Sequence, residues 1–213
     1  MVETASSRSV TPRRDRREGA RLRPAFALAF WIASGALGDG RLAEATTVIA
    51  KDFRQICREA DLVFVGTVVE VESAWADEKK QSIETHVMFS DLLPLFGVDG
   101  PTVRLRFGGG EMDGMREEIA GVPRFSVGDR VVIFARDERS LSPIVGFHQG
   151  SFAVVEGPNG PVVLGSEHRP VTSVDGAQVR LGAASASLES ALTLDAFVDV
   201  VRRELAARGT PTP

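Results

Sequence analysis

Residues Leu62 to Val71 read Leu-Val-Phe-Val-Gly-Thr-Val-Val-Glu-Val, and the fold class turns on this run. It is rich in β-branched residues and apolar on both parities as far as Val65. It then alternates, with Glu70 and Glu72 on one face and Val69 and Val71 on the other. Such a strand is buried on both sides at its start and half exposed at its end. Gly66, near its middle, suits a strongly coiled strand shared by two halves of a small barrel.

Outward from this run the same period recurs. Ile83 to Phe89 alternates Ile83, Thr85, Val87 and Phe89 against Glu84, His86 and Met88, and the polar stretch Asp77 to Gln81 reads as the turn of a hairpin. Val103 to Phe107 alternates Val103, Leu105 and Phe107 with Arg104 and Arg106. Further strands are expected at Val131 to Ala135, Ile144 to Phe147, Phe152 to Val155 and Val162 to Leu164, with Gly157-Pro158-Asn159-Gly160 as a hairpin turn. Loops are expected around Pro94, Gly97, Gly100 and Pro101, and from Gly108 to Pro123.

Two helices flank the strands. Phe53, Ile56, Cys57 and Ala60 share one face of a short helix within Ala50 to Ala60. Thr193 caps a C-terminal amphipathic helix over 193–207, with Leu194, Phe197, Val198, Val201 and Leu205 on one side. Residues 182–190 read as loop or weak helix, and 209–213 as a frayed tail. These elements predict a mainly β protein, an OB-like Greek-key β-barrel, with a β-sandwich as the alternative.

The first 45 residues differ from the rest. Arg13, Arg14, Arg16, Arg17, Arg21 and Arg23 precede the uncharged apolar run Ala25 to Leu37, and Ala43-Glu44-Ala45 follows. That order is the one export machinery reads, so residues 1–45 are expected to be a signal peptide cleaved between Ala45 and Thr46. The apolar run is short of the roughly 20 residues that span hydrocarbon, so no membrane anchor is expected after cleavage. The destination is then the periplasm or the medium, and the exported part is a single domain over 46–208.

Charge and cysteine narrow the partners. Residues 1–45 hold 8 basic and 5 acidic side chains, leaving 17 against 24, or −7, for the remainder. An acidic domain gains nothing from phosphate counterion release, so nucleic acid is excluded as a natural partner, and basic partners or cations fit better. Cys57 is the single cysteine, so no internal disulfide forms and no thiolate zinc cage exists; it is expected to be a buried small hydrophobe.

The runs Ala60 to Val68, Thr85 to Phe89 and Phe125-Ser126-Val127-Gly128-Asp129-Arg130-Val131-Val132-Ile133-Phe134 together resemble the netrin-like and tissue-inhibitor-of-metalloproteinase group of OB folds. The chain is also similar to uncharacterised exported bacterial proteins carrying that pattern, including the segment Gly146 to Phe152. The resemblance covers roughly residues 50–156 and implies the barrel fold. It does not imply the animal inhibitors' mechanism, which uses a disulfide-tethered N-terminal Cys on the protease zinc, where Thr46 is the expected terminus here.

No local pattern names a reaction. His86, His148 and His168 are too scattered for a metal motif, no G-x-S-x-G elbow is present, and Ser151 and Ser166 sit in Gly-Ser pairs that suit turns. Glu111 and Asp113, with Glu117 and Glu118 beyond them, are weak candidates for a calcium site but lack the spaced loop pattern; His148 is a third weak metal candidate. Trp75, Glu111, Asp113, Phe147 and His148 are candidates for a binding surface, packing being the alternative for the two aromatics.

The expected function is therefore an exported, non-catalytic module without a cofactor, binding another exported protein, such as a protease. One alternative is a small-molecule, carbohydrate or calcium-binding domain using Gly108 to Glu118. Another is an enzyme whose site forms only if His148 and acidic residues converge.

Overall fold

The structure, a computed structural model, describes residues 49–209. The expected signal peptide, its cleavage site and residues 210–213 lie outside the described residues. The order is α1 (Phe53–Glu59), β1 (Leu62–Trp75), β2 (Ile83–Phe96), β3 (Val103–Gly108), β4 (Gly110–Met112), β5 (Met115–Glu117) and β6 (Arg130–Ala135), then β7 (Ser151–Gly157), β8 (Gly160–Leu164), β9 (Val171–Asp175), β10 (Gln178–Leu181) and α2 (Leu194–Ala206). The protein is mainly β, and every strand pair is antiparallel.

The main sheet has the order β3-β2-β1-β6-β7-β8. β1 is the shared strand, as its composition predicts. It pairs with β2 from Val63 to Trp75 and with β6 only from Leu62 to Thr67, and three register shifts on the β2 side bend it. A barrel-like or sandwich β fold is consistent with this order: six strands form the ladder, β3 and β8 are its ends, and no pairing joins them among the described residues.

Both sheet faces are apolar where β1 and β6 lie, so these strands are buried from Val63 to Gly66 and from Val131 to Ala135. Val63, Val65, Val132, Phe134, Phe152, Val154 and Val163 meet α1 and α2 on the helix-covered face. Phe64, Val68, Val87, Phe89, Leu105, Phe107, Val131 and Ile133 fill the opposite face, which loops cover.

The helices are specified locally. Asp52 accepts from Gln55 N at 2.7 Å while the Gln55 amide accepts from Asp52 N, a complete capping box, and Thr193 Oγ1 accepts from Ala196 N to start α2. Arg208 then ties the two helices' ends together by donating to the Arg58 and Ala60 carbonyls.

Cys57 is buried in the helix-covered core. Burial, helped by the nearby Glu204 carboxylate, pushes its thiol up to about 12. Ellman's reagent is accordingly expected to leave the native protein unlabelled and to label one thiol per chain in denaturant. Prompt labelling of the native protein would mean that α1 does not stay docked.

Three sequence expectations need correction. Ile144 to Phe147 is no strand: Ile144 makes one bridge to Ala135, and the chain then turns tightly, with the Gly150 amide on the Val145 carbonyl and Phe147 at φ 71°. The Gly108 to Pro123 loop contains the β4–β5 hairpin. A second hairpin, β9–β10, lies where no strand was expected, its turn made at Gly176 (φ 51°). Residues 182–190 are irregular with one short 3₁₀ turn, Leu188–Ser190, in keeping with the loop reading.

Candidate functional site

The loop-covered face of the sheet carries two cavities divided by a strap. Residues Val122 to Phe125 line both. The strap is pinned by Phe125, whose ring packs on Phe89 at 5.7 Å and on Phe107 at 5.2 Å.

The smaller cavity, about 260 Å³, is floored by Val71, Ser73, Thr85, Val87 and Phe107. β1 presents Val71 and Ser73 to this face because the register shift between Val68 and Glu70 reverses its side-chain parity. The wall is the Gly108-Gly109-Gly110 segment with the hairpin β4–β5, held against the floor by polar bonds. Thr85 Oγ1 donates to the Gly109 carbonyl at 2.7 Å, Glu111 N donates to Ser73 Oγ, and Glu117 accepts from Ile83 N at 2.7 Å. Arg116 and the ion pair Arg124–Glu118 (2.9 Å) complete the rim. The floor is apolar with two hydroxyls and the rim carries both charges, the make-up of a ligand-sized cleft.

The larger cavity, about 720 Å³, lies over the other half of the sheet, along Val131, Ser151, Ala153 and Val155. His148, Asp129, Glu167 and His168 are on its walls. Glu167 (φ 57°) and His168 (φ 56°) are both in the left-handed region, as is the neighbouring Phe147, a conformation that costs an ordinary side chain about 1–3 kcal/mol.

The five residues expected to form a binding surface divide between these places. Trp75 and Asp113 come together at the far end of the β1–β2 hairpin: the indole donates to Asp113 Oδ2 at 3.3 Å, and Lys80 reaches both the carboxylate and the ring face. Glu111 stands on the rim of the smaller cavity. His148 lines the larger one, and the Phe147 ring lies beside Gly121 at the strap's start. The weak metal candidates therefore do not share a cavity, and the described residues contain no group of three or more possible ligands placed to hold an ion.

His148 and acidic residues do converge on one cavity, as the enzyme alternative requires. Nδ1 of His148, however, is buried with no hydrogen-bond partner, so no carboxylate orients the ring from that side. No protein-family model, curated protein or solved structure matches the chain.

Sequence reasoning missed Ser73, Thr85, Arg116, Arg124 and Phe125. Phe125 reads only as the start of the run leading into Val131 to Ala135, and the folded chain alone lays it across the sheet. The Gly108 to Glu118 stretch was singled out as a loop that binds a small molecule, a carbohydrate or calcium, and in the fold it is a cleft wall.

The outer face of β1–β2–β3 is a charge ladder. Glu84 meets Arg106 at 3.0 Å and His86 at 2.8 Å, and Glu72 meets Arg104 at 3.6 Å. Burial raises the Glu84 carboxyl, yet the hydrogen bonds from Arg106 and His86 outweigh it and hold the group below the usual glutamate range. His86 is thus hydrogen-bonded within a surface polar network.

Proposed function

We propose that this chain is an exported, non-catalytic module that binds another exported protein through the cleft between β4–β5 and the strap. The observation that carries the reading is the division of labour between the two sheet faces. The two helices and the β9–β10 hairpin pack on one face, while the other carries the strap and the short β4–β5 hairpin around a cleft with a mixed-charge rim. The resemblance to netrin-like and metalloproteinase-inhibitor folds supports a protein partner, a protease among the candidates, and the acidic surplus of residues 46–213 favours a basic one.

A photo-crosslinking amino acid placed at Met115 or Arg124, both exposed beside the cleft, is expected to capture a defined partner from the native exported fraction. The same group at Arg202, on exposed α2, is expected to capture none. Equal capture from all three positions would sink the reading.

The 260 Å³ volume favours a second reading, a small ligand held against Ser73 and Thr85. A sugar panel tested by melting distinguishes it, since a ligand at 100 times its Kd adds about 2.7 kcal/mol.

A further inference from the structure

β1 has an unpaired edge where it enters the smaller cavity. Its pairing with β6 ends at Thr67↔Arg130, whereas its pairing with β2 continues to Trp75. The gap is bounded on one side by the Gly128 amide on the Val68 carbonyl and on the other by Glu111 N on Ser73 Oγ. Between these bounds, Val69, Glu70, Val71 and Glu72 are four consecutive exposed residues, and the two valines are 44% and 37% exposed. A strand sealed on one edge exposes alternate residues; exposure of all four means that one edge is open as well as one face.

Of the sheet's two end strands, only β8 is covered along its edge among the described residues. β3 carries Arg104 and Arg106 outward and its last residue donates to the Leu141 carbonyl. β8 is covered by Pro170, Leu192 and Thr193.

We infer that the Val69–Glu72 edge takes up an extended segment of the partner protein as an added strand, one whose alternate residues are basic and apolar. This rests on the cleft reading above and names what the cleft receives. Glu70 and Glu72 stand opposite Met88 and His86, so both point to the outer face, while Val71, opposite Val87, points to the cavity. An added strand then presents its basic residues to the two glutamates and the apolar residue between them to Val71, Val87 and Phe107.

Charge selects this occupant over a second copy of the chain. Two β1 edges paired antiparallel about Val71 would set Glu70 of each against Glu72 of the other, and like charges directly opposite are destabilising. Glu70 has no ion partner among the described residues, and Glu72 has the exposed Arg104 at 3.6 Å.

The test uses the protein purified from cells expressing the whole chain and a short fluorescent peptide of alternating Lys and Val, read by anisotropy. Two comparison peptides carry Glu in place of Lys, or N-methyl groups on alternate amides, which remove strand donors. The Lys–Val peptide is expected to bind about tenfold more tightly than either. In the E70K/E72K variant, whose changes are both exposed, the preference is expected to pass to the Glu–Val peptide.

Equal binding of the N-methylated peptide overturns strand addition, and so does a preference unmoved by charge reversal. Concentration-dependent dimerisation that the peptide fails to compete away assigns the edge to a second copy and also overturns it. If partner crosslinking at Met115 persists undiminished under saturating Lys–Val peptide, the cleft reading stands and the strand inference falls. If crosslinking at Met115 also fails, the cleft reading itself is lost.

Discussion

Replacing Phe53 with Ala is expected to destabilise the protein by about 3–5 kcal/mol, a large share of the roughly 5–15 kcal/mol that holds a domain of ordinary stability together. Phe53 is fully buried, and its ring meets Phe134, Phe152 and Phe197 edge-on at 5.7, 6.4 and 5.7 Å. Those three rings come from β6, β7 and α2, so the void opens where α1, the sheet and the C-terminal helix join. None of the three can collapse into it without leaving its own contacts. Urea unfolding followed by circular dichroism measures the loss, and the Cys57 thiol reports whether α1 has loosened. Phe96→Ala is the control: that ring is 43% exposed beneath Arg208, and its loss is expected to cost about 1 kcal/mol or less. Similar costs for the two substitutions would show that the four-ring junction does not anchor α1.

Gly110→Val is expected to cost about 2–3 kcal/mol and to detach the cleft wall from its floor. A Cβ at Gly110 would lie 2.5 Å from Thr85 Oγ1 and 2.6 Å from Ser73 Oγ, and the backbone there has φ 150°. Ser73 and Thr85 are the hydroxyls that bind β4 and the Gly109 carbonyl, so relieving the overlap means breaking those bonds. Gly114→Ala separates strain from crowding. Gly114 has φ 78° but nothing within 4 Å of its added Cβ, so only the conformational term of about 1–2 kcal/mol applies. Thermal melts of the two variants give the comparison. The crosslinker at Met115 is expected to lose its partner in Gly110→Val and to keep it in Gly114→Ala. Retained capture in a folded Gly110→Val protein would place the binding surface elsewhere.

The candidate site was legible in fragments. The glycine run reads only as the start of a loop; in the fold the three glycines are needed because Ile119, Glu117 and the Ser73–Thr85 pair occupy the space their side chains would fill. Asp113 and Trp75, 38 positions apart, meet as two turns stacked at one end of the molecule. His148 keeps no company with Glu111, because the strap stands between them. The β9–β10 hairpin did carry a signal, the Asp175-Gly176 turn pair between Val174 and Val179, which is among the stronger short-range marks of a hairpin.

By itself the sequence determined the local periods: most strands of the main sheet and their apolar faces, the cap of the C-terminal helix, and the burial of β1 on both sides at its start. These are local matters, set by side-chain alternation and by main-chain groups satisfied within a few residues. Tertiary structure alone decided the sheet order and its open ends, the path of Val122 to Phe125 across the face, and the unpaired stretch of β1. Each depends on which distant segment reaches a given edge first, and side chains one strand spacing apart in the fold carry no common period along the chain.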